Sequence, residues 1–386
     1  MVTLHNQTSG ELTQAEAGGA GLETCETDSA TQQPLDKLSF FDRWLAVWVA
    51  LSIGVGIVLG NFTSTGDALR KGQFVGSPVP IAVGLLVMMY PILCKVRYEN
   101  LYTITKLKSL WIQIAFSLFV NWLIAPLFMV ALAWAFLPDQ QELREGLILV
   151  GLARCIAMVL VWTKLTGGDG DYCALLVALN SVLQIILYAP LALAYIDGFS
   201  IRGQTSHISY SLVAKSVAAY LGIPFGAAVL TRFILRRGSL VDWYDNRFLP
   251  IMSPFSLLGL VYTIVVLFAS QSSSVTTSVV SIVRVASPLL VYFASIFFAT
   301  LAACLKIMKW NYDLAITQSF TASSNNFELA IAVAISTYGP SSKQAVATTV
   351  GVLVEVPVMV ALVYGVRFIR GRLKRQEVFR SKERWT

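Results

Sequence analysis

The residues able to do chemistry in this chain are few, and nearly all sit inside apolar stretches. Arg154 and Cys155 are adjacent in GLILVGLARCIAMVLVWTKLT. Asn325, Asn326 and Glu328 cluster in LAITQSFTASSNNFELAIAVAISTY, and Glu355 stands alone in VGVLVEVPVMV. Asn180 and Gln184, in LVALNSVLQIIL, are one helical turn apart and share a face. A charge at the centre of a bilayer costs about 2.5–3.5 kcal/mol on insertion scales. Arg154 lies too far from either end of its stretch to reach water by snorkelling, so it must face protein or a wet cavity. Ionisable groups in such places mark substrate paths and proton relays rather than catalysis. Neither histidine, His5 or His207, lies in an apolar stretch, and no Ser/His or paired-Asp arrangement occurs. The five cysteines (Cys25, Cys94, Cys155, Cys173 and Cys304) form no CxxC pair and no Cys/His cluster. A zinc site, a disulfide framework and any resident cofactor are therefore not expected.

The elements that must position these residues are membrane spans. Of 386 residues, 56% are hydrophobic and 13% charged, about half the charged share of a soluble domain. Stretches of roughly 20 apolar residues recur, the length that crosses a bilayer. They predict an all-α polytopic membrane protein with ten transmembrane helices. The first five are Phe41 to Phe62, Ser77 to Cys94, Leu110 to Leu137, Leu143 to Leu165 and Cys173 to Ile196. The second five are Ser211 to Leu235, Phe248 to Ser270, Ile282 to Leu305, Leu314 to Tyr338 and Gln344 to Phe368. Basic residues follow the even spans: Lys95, Arg97, Lys106 and Lys108, then Arg232, Arg236, Arg237 and Arg247, then Lys306 and Lys309, then the run from Arg367 to Arg384. The opposite loops hold only Arg70, Lys71, Arg144, Arg202 and Lys343. The positive-inside rule then puts both termini in the cytoplasm. It also accounts for the net charge of +7 without any nucleic-acid partner.

Ten spans divide into halves of five, 38–200 and 205–370, and an odd number per half makes the repeat inverted. Leu187-Tyr188-Ala189-Pro190 in the fifth span echoes Val354-Glu355-Val356-Pro357 in the tenth. Outside this 38–370 unit lie a polar, disordered cytosolic tail (1–37) and a basic cytosolic tail (371–386). Ser, Thr and Asn in the ninth span compete with helix by bonding their own backbone, so a break is expected around Ser323 to Asn326. Such backbone is tolerated in a membrane only where it is buried in protein or lines a cavity. Gly146 and Gly151 permit a matching break in the fourth span, and Arg154 and Glu328 could then compensate each other. Each residue also has a structural reading. Arg154 can be one half of an ion pair, Asn180 and Gln184 interhelical glue, Cys155 a small buried hydrophobe and Trp162 an interfacial anchor.

The stretches GLARCIAMVLVW, LVALNSVLQ, FTASSNNFELAIAVAI and VGVLVEVPV closely resemble signatures of the arsenical-resistance efflux permeases, in the bile acid/arsenite/riboflavin transporter superfamily. The similarity runs from about Leu38 to about Phe368. MMYPILCKV, with Cys94, resembles the eukaryotic branch. The resemblance implies a fold similar to sodium/proton antiporters, with discontinuous fourth and ninth helices. It implies export of arsenite, with antimonite as a second cargo, in exchange for protons. The plasma membrane is the expected location, with the vacuolar membrane the alternative and a homodimer the expected assembly. The motif positions carry over as Arg154, Cys155, Asn180, Asn325 and Asn326 for substrate, with Cys155 as the As(III) contact. Glu328, and second Glu355, carry over as proton carriers, and Arg232 and Trp162 as further candidates. Where the family often has Gly-Pro, this chain has Gly351-Val352, a change expected to straighten the tenth span. The rival within the superfamily is a sodium-coupled organic-anion symporter of the bile-acid type.

Overall fold

The computed structural model describes residues 44–62, 72–96, 98, 108–198, 208–236, 240–270 and 278–383, with side chains described to residue 370. The expected N-terminal tail, Arg70, Lys71, Arg97, Lys106, Arg202 and Arg237 lie outside the described residues. The described chain is almost wholly helical: α1 (Leu45–Phe62), α2 (Val79–Cys94), α3 (Leu110–Phe136), α4 (Gln141–Leu152), α5 (Met158–Thr166), α6 (Gly170–Gly198), α7 (Tyr210–Leu235), α8 (Val241–Ser270), α9 (Val280–Ile307), α10 (Tyr312–Ser323), α11 (Phe327–Tyr338) and α12 (Lys343–Glu383). Six of these, α3, α6, α7, α8, α9 and the first 28 residues of α12, are long and apolar enough to cross a bilayer. Helices α1, α2 and α11 are apolar but shorter.

Local chemistry accounts for the ends and irregularities. Asn326 caps α11 by accepting from Leu329 N at 3.0 Å, and Ser209 caps α7 through Leu212 N. Gly167, at φ 75°, ends α5, and Gly168 N reaches back to Thr163 O at 2.8 Å. Pro126 and Pro224 each follow a π turn, Val120–Ile124 in α3 and Ala218–Gly222 in α7. A proline has no N–H for the carbonyl four residues back, and the widened turn absorbs that loss. Helix α12 continues past its expected end at Phe368 to Glu383. Hydropathy marks where lipid ends, whereas Leu, Arg, Lys, Gln and Glu keep the backbone helical beyond it.

Two features depart from the sequence reading. Arg144 is not a loop residue: it is buried on α4, its guanidinium 3.6 Å from the centre of the Trp134 ring and bonded to Leu137 O and Pro138 O. A hairpin, β1 (Gln73–Phe74) and β2 (Ser77–Pro78), precedes α2. Its turn residues Val75 and Gly76 have φ of 49° and 78°, the signs of a type I′ turn. The hairpin rests on α7 and α11, where Tyr220 Oη donates to Phe74 O at 2.8 Å and Ser77 Oγ meets Ser336 Oγ at 2.9 Å.

The helices pack in two groups. Helix α8 lies along α1 and α2, and α7 packs on α2. Helix α12 packs on α9, α4, α11 and α5, while α10 packs on α9 and α6. The site lies where the second group is interrupted.

Candidate transport site

The fourth expected span is two helices, α4 and α5, and the ninth is α10 and α11. Between them the chain is extended: Ala153 has ψ 116° and Ser324 has φ −84° and ψ 144°. The two extended segments cross and pair as an antiparallel bridge at Arg154 and Asn325. Asn326 N donates to Ala153 O at 3.0 Å, and Cys155 N to Ser324 O at 3.4 Å. Side chains complete the pairing. Asn325 Nδ2 donates to Val150 O (2.8 Å) and Ala153 O (3.1 Å), and Asn325 N donates to Glu355 Oε1 (3.2 Å). Gln184 from α6 clamps the Arg154 peptide on both sides, accepting from its N at 3.0 Å and donating to its O at 2.9 Å. Backbone removed from water thus finds partners where helix is absent.

Arg154 is fully buried. Its guanidinium donates to Gly151 O, to Ala322 O at 3.3 Å and to Tyr292 Oη at 3.4 Å. Gly151 and Ala322 lie in the last turns of α4 and α10, where carbonyls lack helical partners and the dipole is negative. One cation therefore serves two helix C-termini. The expected compensation between Arg154 and Glu328 is corrected accordingly: the donors of Arg154 go to carbonyls and Tyr292. The reason is electrostatic, since two converging helix ends already supply the negative field. The N-termini of α5 and α11 are the other two ends at the crossing, and Glu328 occupies the first turn of α11, where a carboxylate is favoured.

A cavity of about 690 Å³ is lined by Ala157, Met158 and Glu328 together with Lys164, Asp169, Lys95, Arg232 and Asp245. Its walls come from both helix groups: Ile92, Arg232 and Leu260 from one, Val161, Ala174 and Glu328 from the other. Arg232 is itself 4% exposed, donates to Cys94 O at 3.4 Å and lies 5.5 Å from the Tyr244 ring centre. Cys155 sits in the α4–α5 break, buried, two residues before the cavity-lining Ala157, within electrostatic range of Glu355 and Glu328.

The remaining expected residues fall around this core rather than on the cavity wall. Asn180 accepts from Trp122 Nε1 at 3.1 Å, the indole being set by the π turn of α3. Trp162 is wholly enclosed in protein, unlike an interfacial anchor. Several buried polar atoms of these residues have no hydrogen-bond partner: Arg154 Nε, Trp162 Nε1, Asn180 Nδ2, Asn325 Oδ1 and Asn326 Nδ2. Three of these five, Arg154 Nε, Asn325 Oδ1 and Asn326 Nδ2, belong to the two bridged segments themselves. The sequence reading missed Tyr292 as the partner of Arg154, and it offered Gln184 as interhelical glue without naming the Arg154 peptide as its partner. A tyrosine and a glutamine inside apolar spans were the available signals.

The family model for the sodium bile acid symporter family matches residues 82–278. The arsenical-resistance protein Acr3 of Corynebacterium glutamicum is 44% identical over 342 residues, covering 87% of this chain and 91% of that protein. The chain belongs to the sodium bile acid symporter family. An uncharacterized transporter of Synechocystis is 32% identical, covering 84% of this chain and 88% of its own length. Acr3 of Alkaliphilus metalliredigens is 30% identical, covering 84% and 92%. The chain is accordingly an integral, multi-pass membrane transporter and not an enzyme.

Proposed function

We propose that this transporter exports arsenite, and antimonite as a second cargo, from the cytosol in exchange for protons. The crossing at Arg154 and Asn325 carries this reading: a single thiol, Cys155, lies in the break beside Arg154, and Arg154 Nε, Asn325 Oδ1 and Asn326 Nδ2 of the bridged segments are open. The names of two of its relatives, Acr3 of C. glutamicum and of A. metalliredigens, point the same way. Arsenous acid is a small neutral triol with a thiophilic centre. The Cys155 sulfur forms an As–S bond, an As–OH bond breaks, and the thiol proton leaves with that hydroxyl as water. One such bond is reversible, whereas three would hold the cargo. Asn180, Asn325 and Asn326 hydrogen-bond the remaining hydroxyls, and Arg154 stabilises a thiolate or an oxyanion. Glu328, which lines the cavity, exchanges a proton for arsenite, and Glu355, bonded to Asn325 N, is the second carrier. Arg232 and Trp162 shape the entrance and the packing behind the break.

In the topology that accompanies this reading there are ten spans in an inverted 5+5 repeat, with α4–α5 and α10–α11 as counterparts. Residues 1–37 and the basic end of the chain are cytosolic, and the plasma membrane is the site of action. The cavity at Lys95, Lys164 and Arg232 then opens to the cytosol, and the β1–β2 hairpin faces outside. A homodimer is the proposed assembly.

The test is arsenite uptake into everted vesicles under an imposed pH gradient. Proton-driven uptake is expected, lost in Cys155→Ala and uncoupled from the gradient in Glu328→Gln. Unchanged flux in Cys155→Ala removes the thiol from the site. The family model's description favours a second reading, a sodium-coupled organic-anion symporter. Uptake of a bile acid stimulated by sodium, with no arsenite flux, would establish it instead.

A further inference from the structure

A buried acid outside the crossing has no part in the mechanism above. Glu145 lies on α4, 3% exposed. Its Oε1 accepts from Gln141 Nε2 and its Oε2 from Gln344 Nε2, both at 2.9 Å. Gly146, the next residue, lets α4 close on α12: a Cβ there would come within 2.8 Å of Gln344 O and Ala347 Cβ. Glu145 is thus held against the helix that carries Glu355. On α12, Gln344, Thr348, Gly351 and Glu355 recur at helical spacing and share one face. Gln344, Thr348 and Glu355 are all buried. The face runs about 16 Å from Gln344 to Glu355. It is pinched at Gly351, where the Phe327 ring occupies the space of a side chain.

The far end of this face meets a second cavity, of about 510 Å³, lined by Tyr338, Glu142, Gln344, Gly76 and Pro78. It lies at the hairpin end of the molecule, away from the cavity that reaches Glu328. Tyr338 Oη is buried, within side-chain reach of Glu145 and in electrostatic range of Tyr188 and Asp197. Solvent therefore comes within one side chain, Gln344 or Tyr338, of the Glu145 carboxyl. Of the other charges facing this corner, Arg144 lies in electrostatic range of Glu145 itself, Asp197 lies in range of Tyr338, and the rest are paired. Lys343 pairs with Glu142 at 2.9 Å, Arg144 lies on Trp134, and Arg284 of α9 pairs with Asp139.

We propose that Glu145 is the proton-entry residue on the external side, delivering protons along the Gln344–Thr348 face of α12 to Glu355. This rests on the proton-exchange reading and on the orientation given with it. The carboxylate of Glu145 takes a proton from the outer cavity. It passes that proton to water molecules admitted along the α12 face when the Phe327 ring leaves Gly351, which carry it to Glu355 as hydronium, and returns to the carboxylate. Glu355 becomes a carboxylic acid and later releases the proton on the cytosolic side. Glu145 touches no cargo in this scheme, so its removal changes the proton step alone.

The test varies the lumenal pH of everted vesicles, the lumen corresponding to outside, at fixed pH on the cytosolic face. Wild-type arsenite uptake is expected to rise as the lumen is acidified. Glu145→Gln is expected to lose that dependence while keeping the wild-type KM for arsenite. Glu145→Asp is expected to restore the dependence with a displaced midpoint. Retention of the full lumenal-pH dependence in Glu145→Gln overturns the proposal. Should Glu145→Gln not reach the membrane, Glu145→Asp decides: a displaced midpoint supports the proposal, and an unmoved one overturns it. Wild-type flux indifferent to lumenal pH would instead sink proton exchange itself, and the entry role with it.

Discussion

Replacing Gln184 with leucine should disable the crossing while leaving the apolar volume of α6 intact. The side chain makes two hydrogen bonds to the peptide of Arg154, 3.0 Å from its N and 2.9 Å to its O. Both groups lie where the chain is neither helix nor strand, and Arg154 is wholly buried. A buried polar group left without its partner costs about 1–3 kcal/mol. Two such groups give about 2–6 kcal/mol against the crossed arrangement, an additive estimate for adjacent groups. At 1.4 kcal/mol per tenfold, the low end is a factor of about 30 in the population of the crossed form. Arsenite flux in everted vesicles, normalised to transporter present, should fall by about that factor or more. Gln184→Glu keeps an acceptor for Arg154 N and loses only the donor to Arg154 O, so its loss should be smaller. Wild-type flux in Gln184→Leu would refute the claim that this clamp holds the break.

Arg154→Lys keeps the charge but cannot reach two helix ends and Tyr292 at once. Flux should fall at least about tenfold with protein still present in the membrane, and near-normal flux would show that charge alone suffices. Gly351→Ala places a Cβ in the space of the Phe327 ring, an overpacking worth about 1–3 kcal/mol. A lowered thermal midpoint in detergent is expected, recovered in the double variant with Phe327→Ala. Absence of recovery would mean that the strain lies elsewhere. The Arg284 guanidinium on exposed Asp139 holds that carboxyl down from its usual 3.8 to about 2. Its contribution is present above pH 3.8 and is lost as pH falls toward about 2. The pair does not titrate near neutral pH, so Asp139→Asn should leave the pH profile of transport between mild acid and mild alkali unchanged, measured in the same vesicles.

The helical, membrane-embedded character was legible because lipid demands long apolar runs and internally bonded backbone, and both are visible in composition. The interruption at Ser324 to Asn326 was legible because Asn and Ser bond their own backbone. What the sequence could not supply was direction. Arg154 was expected to face Glu328, since opposite charges are the simplest solution, but carbonyls at the ends of α4 and α10 compete for a guanidinium and are invisible as letters. Arg144 was assigned to a loop because hydropathy treats every arginine as exposed, whereas the Trp134 ring and two carbonyls house it. The β1–β2 hairpin escaped notice because Val75 gives no warning of a positive φ. Glu145 fell inside the fourth expected span without being singled out, and only its contact with Gln344 ties it to the helix of Glu355.

The antiparallel bridge between Arg154 and Asn325 has a mechanical consequence. Four half-helices end within two short segments that hydrogen-bond to each other, and the bonded residues are buried. Pulling the segments apart costs far more than sliding apolar helices past one another. The crossing should therefore travel as a welded joint, its inner geometry unchanged. Displacement between states should be taken up along the seam where Arg232 and Leu260 face Val161 and Glu328 across the cavity. A transporter made this way keeps its grip on the cargo constant and alters only which side can see it.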